Sequence, residues 1–336
     1  MCGLAGAVQA DRHDSPLSSE VLTRMRDALV HRGPDDAGVH LGPGVALGSR
    51  RLSIVDLSER GHMPMSTADG RYWIAYNGEV YNFRVLREEL RARGVVFRSD
   101  TDTEVVLHSL ILDGPAAMER FNGMFAFALW DSKERTLLLA RDRLGIKPLY
   151  LATVEGTLCF ASEEKALFEA GVPMTFDPEI WEELIVFRYL AGERTPYRGV
   201  RRLLPGHWLR WENGKVTTQR WWNLGERAKK LAAQGLGGDA TAWYRETFDD
   251  AVRLRRISDV PVGVMLSGGL DSSTVAGALA QQAGGGVNSF TVRFDEAELD
   301  EGPVANDVVR KWGLTHHEIR VQPDELFGLL RQASWL

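Results

Sequence analysis

The sequence predicts two domains of different class in one chain: an α+β layered domain, then an α/β domain built on a parallel sheet. Three observations carry this expectation. Up to about residue 225, short apolar or alternating runs recur with two or three helical stretches among them, as in a layered α+β domain. From Ala232 to Asp239, glycine and alanine crowd together without periodicity, as in a linker. Beyond it the apolar run Val260 to Leu266 passes through a glycine turn into a helical run, the order of a buried parallel strand and its covering helix. The expected division is a first domain at 2–225, a linker at 226–240 and a second domain at 241–336.

Composition limits the function classes. A chain of 336 residues that is 44% hydrophobic and 26% charged is ordinary globular material with room for two cores. The formal charge of −6 is spread without a basic block, so neither nucleic acid nor an anionic membrane surface is an expected partner. No apolar run is long enough to span a bilayer and the start lacks a signal-peptide pattern, so a cytoplasmic location is expected. Of the two cysteines, Cys159 lies in the apolar run Leu158 to Ala161 and reads as a packed thiol rather than half of a bridge.

The other cysteine is Cys2, directly behind the initiator methionine. Cysteine is small enough for that methionine to be trimmed, which leaves a thiol and a free α-amine on one residue. A free thiol is only slightly ionised near neutral pH, and an amine with a pKa of about 8 can accept its proton as attack begins. Gly3 to Val8 reads as a short buried strand. A capped helix from Ser18 to about Leu29 ends in His31-Arg32-Gly33-Pro34-Asp35-Asp36, either a solvated turn or a loop that shapes a pocket. Val45 to Gly48 reads as a strand that leads into the alternating segment Arg51 to Asp56; Arg51 is either a surface charge or a fork for a carboxylate.

Trp73 to Tyr76 reads as a strand running into Asn77-Gly78-Glu79. Asn-Gly is a tight-hairpin signal, and the competing reading pairs the Asn77 amide with the Gly78 N–H as two donors for an oxyanion. A helix from Leu86 to Arg93 precedes the acidic loop Ser99 to Glu104, where capping explains one acid and does not require three. Strands follow at Phe121 to Leu129, Thr136 to Ala140 and Leu158 to Ala161. Phe176 to Arg202 reads as helical, and Trp208 to Trp211 with Val216 to Trp222 as a hairpin.

Cys2-Gly3, the His31 to Asp35 loop, Arg51 to Val55, Asn77-Gly78-Glu79, Asp102 and Arg141 to Tyr150 together resemble the class II glutamine amidotransferase domain, a four-layer αββα N-terminal-nucleophile glutaminase. The resemblance implies Cys2 as nucleophile with its own amine as base, and Asn77 with Gly78 as the oxyanion hole. It implies further that Arg51 holds the glutamine α-carboxylate, that Glu79 and Asp102 hold its α-amine, and that the backbone of Arg51, Leu52, Ser53, Ile54 and Val55 lines the pocket.

In the second half, a helix from Ala242 to Arg256 precedes the apolar strand, which ends in Ser267-Gly268-Gly269-Leu270-Asp271-Ser272-Ser273 before the helical run Thr274 to Gln282. Strand, glycine turn and helix start gather N–H groups and hydroxyls around one point, an anion site without the Gly-Lys-Ser/Thr ending of a P-loop. This loop resembles the pyrophosphate-binding loop of ATP pyrophosphatases on a partial parallel sheet. In that likeness Ser267, Gly268, Gly269, Asp271 and Ser272 bind the pyrophosphate part of ATP, Asp271 helps place Mg2+, and Leu266 and Val292 contact the adenosine. Asp300 and Glu301 read equally as outer acids or as a helix start. His316-His317 lacks metal-ligand spacing and reads as a strand edge.

A glutaminase followed by this loop resembles the glutamine-hydrolysing asparagine synthetase family, carbon–nitrogen ligases that use glutamine, aspartate and ATP. The family's logic implies an acyl adenylate on aspartate and a dry route for ammonia, which bulk water keeps mostly protonated. A homodimer is compatible with this reading. Members continue past the point where this chain stops, into an acidic, glycine-containing loop expected to bind aspartate and pyrophosphate, so the second domain is expected to be C-terminally incomplete. Amidation of another carboxylate, or glutamine hydrolysis alone, stays open.

Overall fold

The computed structural model describes residues 1–10, 13–235, 237–295, 298 and 300–335. The chain divides into two compact units, Met1–Ala233 and Gln234–Leu336. Leu236 in the expected linker and Leu336 at the expected truncation lie outside the described residues.

The first unit opens with strand β1 (Gly3–Val8), buried at every position, and helix α1 (Ser19–Asp27), whose N-cap Ser18 accepts from the Val21 N–H. The hairpin β2 (Asp36–Gly42) and β3 (Val45–Arg51) follows, then β4 (Met65–Ser66) and β5 (Tyr72–Val80). Helices α2 (Phe83–Ala92) and α3 (Asp102–Asp113) precede β6 (Gly123–Asp131), β7 (Thr136–Arg141), β8 (Tyr150–Val154) and β9 (Thr157–Ala161). Short helices α4 (Glu164–Glu169) and α5 (Trp181–Phe187) lead to β10 (Val200–Arg202), the hairpin β11 (His207–Glu212) and β12 (Lys215–Arg220), and α6 (Leu224–Gln234).

These strands form two six-stranded antiparallel sheets, ordered β10-β8-β9-β1-β3-β2 and β12-β11-β7-β6-β5-β4. Period-two alternation explains the layering. Leu4, Leu47 and Phe160 of the first sheet turn inward onto Ala128, Trp130 and Leu139 of the second. Their neighbours Ala5, Ala7 and Cys159 turn outward onto Met25 and Leu29 at α1 and Ala166 and Leu167 of α4. On the far side α3 packs on β5 and α2 on α3. Helix, sheet, sheet, helix is the four-layer αββα order. Each fully buried Leu or Phe here contributes about 1.5–3 kcal/mol relative to an exposed one. Cys159 is packed as expected, and burial pushes its thiol up to about 11.

Three local expectations are corrected, and one strand stands where none was expected. The alternation from Arg51 to Asp56 does not continue the strand: β3 ends at Arg51, and residues 52–58 are an irregular loop. Strand β2 escaped the reading because it is a half-exposed edge strand whose glycines and polar residues give no clean alternation. The helix expected over 176–202 lasts only to Phe187, where Arg188 turns left-handed at φ 57°, and it leaves Ile185 and Tyr189 exposed. Residues 226–234 of the expected linker belong to the helix α6.

The second unit contains α7 (Ala240–Arg255), β13 (Gly263–Met265), α8 (Leu270–Ala283), β14 (Asn288–Arg293), α9 (Gly302–Trp312), β15 (Thr315–Arg320) and α10 (Pro323–Trp335). Its three strands are parallel in the order β13-β14-β15, and Val252, Leu266, Ala276, Leu279 and Ala305 form its core. No helix among the described residues is long and apolar enough to cross a membrane.

Candidate active site

The ladder of β1 begins with Gly3 opposite Arg50, so Cys2 sits at the mouth of the sheet, one residue before regular pairing. Two contacts orient it. The Leu52 N–H donates to Cys2 Sγ at 3.4 Å, and Arg32 Nε donates to the Cys2 carbonyl at 3.1 Å. The sulfur faces a cavity of about 190 Å³ whose wall includes Arg51, Leu52, Asn77, Glu79 and Asp102. At about 10–15 Å³ per water-sized group, that is the scale of one free amino acid.

Burial pushes the Cys2 thiol up, against the opposing pull of the Leu52 N–H. A thiol so placed needs a base. Burial lowers the α-amine, which here belongs to Met1, and the Lys147 and Arg32 cations lower it further. Met1 itself lines the cavity, so its removal would both open the space and bring the amine onto the nucleophile.

Asn77 and Gly78 lie inside β5, paired with Ala126 and Phe125 of β6, so the Asn-Gly signal is not a hairpin turn. Asn77 is fully buried, yet neither its Nδ2 nor its Oδ1 has a hydrogen-bond partner. Leaving such an amide unpaired costs about 1–3 kcal/mol, and its place on the cavity wall supplies the reason to bear that cost. At Gly78 a Cβ would meet the Met124 carbonyl at 2.5 Å, so only glycine lets β5 and β6 approach here.

Asp102 stands in the first turn of α3, where Thr101 takes the capping role and leaves the carboxylate free for the cavity wall. Its Oδ2 accepts from the Tyr76 hydroxyl and the Val80 N–H, each at 2.9 Å. Burial still pushes its pKa up, so an incoming ammonium would stabilise the charged form. Glu79 lines the same wall.

Arg51 reaches the cavity, but three of the guanidinium's five N–H donors are spent on the carbonyls of Val55, Asp56 and Ser58. Its first duty is to fold the loop after β3. Leu52, Ile54 and Val55 of that loop line the cavity. Ser53 does not, because its N–H is drawn away to Asp35 at 2.8 Å, which corrects the expectation that it lines the pocket. That bond also gives the His31 to Asp35 loop its role: Arg32 grips Cys2 while Asp35 holds Ser53.

Several wall residues carry no role predicted from the sequence, Tyr76 and Lys147 among them. Tyr76 reads there only as an apolar strand position. Lys147 sits in a run of loop residues with no periodic signal, yet it is only 4% exposed, and burial lowers its pKa.

In the second unit the anion loop has the expected order, strand β13, turn and helix α8. Gly268 adopts φ 79°, and a Cβ on it would lie 2.9 Å from the Ala305 nitrogen. Gly269 caps α8 without a side-chain bond, so the helix start is open to an anion. Ser267 and Ser272 join hydroxyls at 3.0 Å, and Asp271 follows in the exposed first turn. This cradle fits phosphate. For a cation the described residues offer Asp271 and no cluster of three potential ligands.

Val292 is partly exposed on β14, whereas Leu266 is 2% exposed in the core, with its carbonyl accepting from the Thr291 hydroxyl. Asp300 pairs with Arg293 and accepts from the Gly302 N–H, which joins an ion pair to the helix-start reading. His316 and His317 lie on edge strand β15, bound to Ser289 and Asn288.

Residues 1–222 match the glutamine amidotransferase domain family and residues 244–336 the asparagine synthase family. The chain is 33% identical over 341 residues to asparagine synthetase (glutamine-hydrolyzing) 1 of Bacillus subtilis (strain 168), covering 100% of this chain and 52% of that protein. It is 35% identical over 358 residues to asparagine synthetase (glutamine-hydrolyzing) 3 of the same organism, covering 99% of this chain and 56% of that one. A third relative, at 31% identity over 365 residues, is amidase chyE of Penicillium rubens, with coverage of 100% and 53%. The chain thus spans about half the length of these relatives. With an amidotransferase domain over its first 222 residues and a synthase domain after it, the chain belongs to the glutamine-hydrolysing asparagine synthetase family.

Proposed function

We propose that the first unit hydrolyses glutamine at Cys2 and that the ammonia serves an ATP-dependent amidation, with aspartate as acceptor and asparagine, AMP and pyrophosphate as products. The observation that carries the reading is the fully buried, unpartnered Asn77 amide on the wall of the cavity that Cys2 faces. In this account the sulfur attacks the side-chain amide carbon and the thiol proton passes to the Cys2 α-amine. Asn77 Nδ2 and the Gly78 N–H take the oxyanion. Collapse breaks the C–N bond, the proton leaves with ammonia, and water then cleaves the γ-glutamyl thioester to glutamate.

Glu79 and Asp102 hold the substrate ammonium. Arg51 meets its carboxylate with the N–H groups that the loop does not use, and backbone of Leu52, Ile54 and Val55 shapes the pocket. In the second unit, the turn from Ser267 to Ser272 binds the pyrophosphate part of ATP, and Asp271 would be the residue that holds Mg2+, which would supply positive charge against the phosphates. ATP, when bound, supplies the activation of the acceptor carboxylate. A cytoplasmic location suits an enzyme that depends on a free thiol.

The test has two arms. Incubation with a glutamine-mimicking diazoketone should label Cys2 in a polypeptide that has lost Met1, and glutamine should yield glutamate; retained methionine without an adduct would overturn the glutaminase reading. Pyrophosphate exchange into ATP that depends on aspartate would support the synthetase reading, and exchange only with another acid would reassign the acceptor. A second reading, amide hydrolysis alone, is favoured by the similarity to a protein named an amidase. Glutamate release without any exchange would support it.

A further inference from the structure

Cys2 lies before the first ladder pair of its sheet, and trimming of Met1 would make it a chain terminus, the place where backbone frays unless tied down. The rotation that aims its amine and sulfur is the one about its own Cα–C bond, and the carbonyl on that bond is held by Arg32 Nε at 3.1 Å. Arg32 is a long side chain reaching back from the turn after α1, with its own rotamers to fix.

What fixes it is Glu163, at the junction of β9 and α4. Glu163 occupies the N-cap position of α4, yet its side chain makes no capping bond. It turns instead to Arg32 Nη1 at 2.7 Å, His31 Nε2 at 3.0 Å and Lys165 Nζ at 3.0 Å. These contacts hold its carboxyl below the usual range against the upward push of burial. The residue before it works on the same strand: Ser162 Oγ accepts from the Leu4 N–H at 3.0 Å, and the Ser162 N–H donates to the Leu4 carbonyl at 2.8 Å.

We propose that Glu163 is a positioning residue for the nucleophile: it gives up its helix cap to hold Arg32 in the one rotamer that clamps the Cys2 carbonyl, and so aims the terminal amine and thiol at the substrate. It does not line the cavity and touches no reacting atom. The inference rests on the reading of Cys2 as the nucleophile. Since the clamp acts on the attacking group and leaves the walls alone, its loss should appear in kcat and not in KM.

The experiment measures glutamate release by the full chain freed of Met1. Glu163→Ala should lower kcat by about 10- to 100-fold, the scale of a misaimed reacting group, with KM for glutamine within about twofold. Glu163→Gln keeps an acceptor for Arg32 and should recover most of the rate. Arg32→Lys keeps a cation for Glu163 but loses the fork that also reaches the carbonyl, and should reproduce the kcat loss; it decides the matter if Glu163→Ala does not fold. An unchanged kcat in the folded variant, a loss confined to KM, or Glu163→Gln no better than Glu163→Ala would each overturn the proposal. A wild-type chain that releases no glutamate would overturn the nucleophile reading and this inference with it. An active wild type beside unaffected variants would overturn the inference alone.

Discussion

The cavity of the first unit draws its wall from Cys2, Arg51, Asn77, Asp102 and Lys147, five stretches far apart in the chain, half-buried at Cys2 and buried at the others, and most already bonded to other parts of the fold. The anion loop of the second unit is one contiguous stretch, Ser267 to Ser272, largely exposed, with its two terminal serine hydroxyls bonded to each other. The first site is built by tertiary packing, so its geometry exists before substrate arrives and its polar groups carry the cost of burial. The second is a local backbone shape, whose N–H groups and hydroxyls gain partners when an anion comes. Damage to one wall residue should therefore be severe and specific in the first unit, and graded in the second.

The largest expected effect is that of Cys2→Ala, which should reduce glutamate release by about 10⁴-fold or more, since no second thiol faces the cavity. Asn77→Ala comes next. Removing one oxyanion donor costs about 10²- to 10³-fold in kcat with little change in KM. A loss confined to KM would make Asn77 a wall residue and not a transition-state donor, and would blur the contrast between the units.

The same contrast explains what was legible in the sequence. Contiguous signals were read well: the capped α1, the buried β1, the strand, turn and helix around Gly268, and the edge strand at His316. Features defined by what lies across the fold were not. Lys147 became part of a site only because its loop folds back beside Cys2, and Ser53 left the wall because Asp35 took its N–H. That the Leu266 side chain completes the core of a small three-stranded unit is likewise visible only in the fold. Asn77 and Gly78 show the converse case, where a local turn signal yields to strand pairing along β5 and β6.

Smaller effects sharpen the first site electrostatically. Asp102→Asn should raise KM for glutamine by about 10- to 100-fold, as expected for loss of a charged hydrogen bond, and should spare kcat. In the wild type, burial raises the Asp102 pKa, so on acidification it takes up a proton earlier than an ordinary carboxylate. KM should accordingly rise at a pH above the usual carboxylate range, and Asp102→Asn should abolish that rise. Lys147→Met removes a cation that lowers the Met1 amine and that shares the cavity wall with Cys2, where the amine of the trimmed chain would stand. Loss of that charge favours the ammonium form, so the acid limb of the kcat/KM profile should move to higher pH. A profile that does not move would confine Lys147 to packing.

The smallest effect belongs to the second unit and tests whether its loop depends on anything beyond local shape. The Arg293 guanidinium beside Asp300 holds that carboxyl at about 2, and both Asp300 oxygens pair with it at 2.6 Å. Arg293 also lies so close over Gly302 that a Cβ there would come within 1.9 Å of its Nε, and this fixes the start of α9. The first turn of α9 in turn supplies the Ala305 nitrogen that crowds Gly268. Because the folded pKa is depressed, the stabilisation is present above the ordinary carboxylate value near 4 and fades as pH falls through about 2. In a pH series of urea unfolding, Asp300→Asn should remove that acid window. It should also weaken binding of inorganic pyrophosphate by about two- to fivefold, the scale of one mostly solvent-screened ion pair. Undiminished pyrophosphate binding would make the turn from Ser267 to Ser272 self-sufficient. The weaker binding expected here would mean that even a contiguous loop takes its final shape from a helix start more than thirty residues away in sequence.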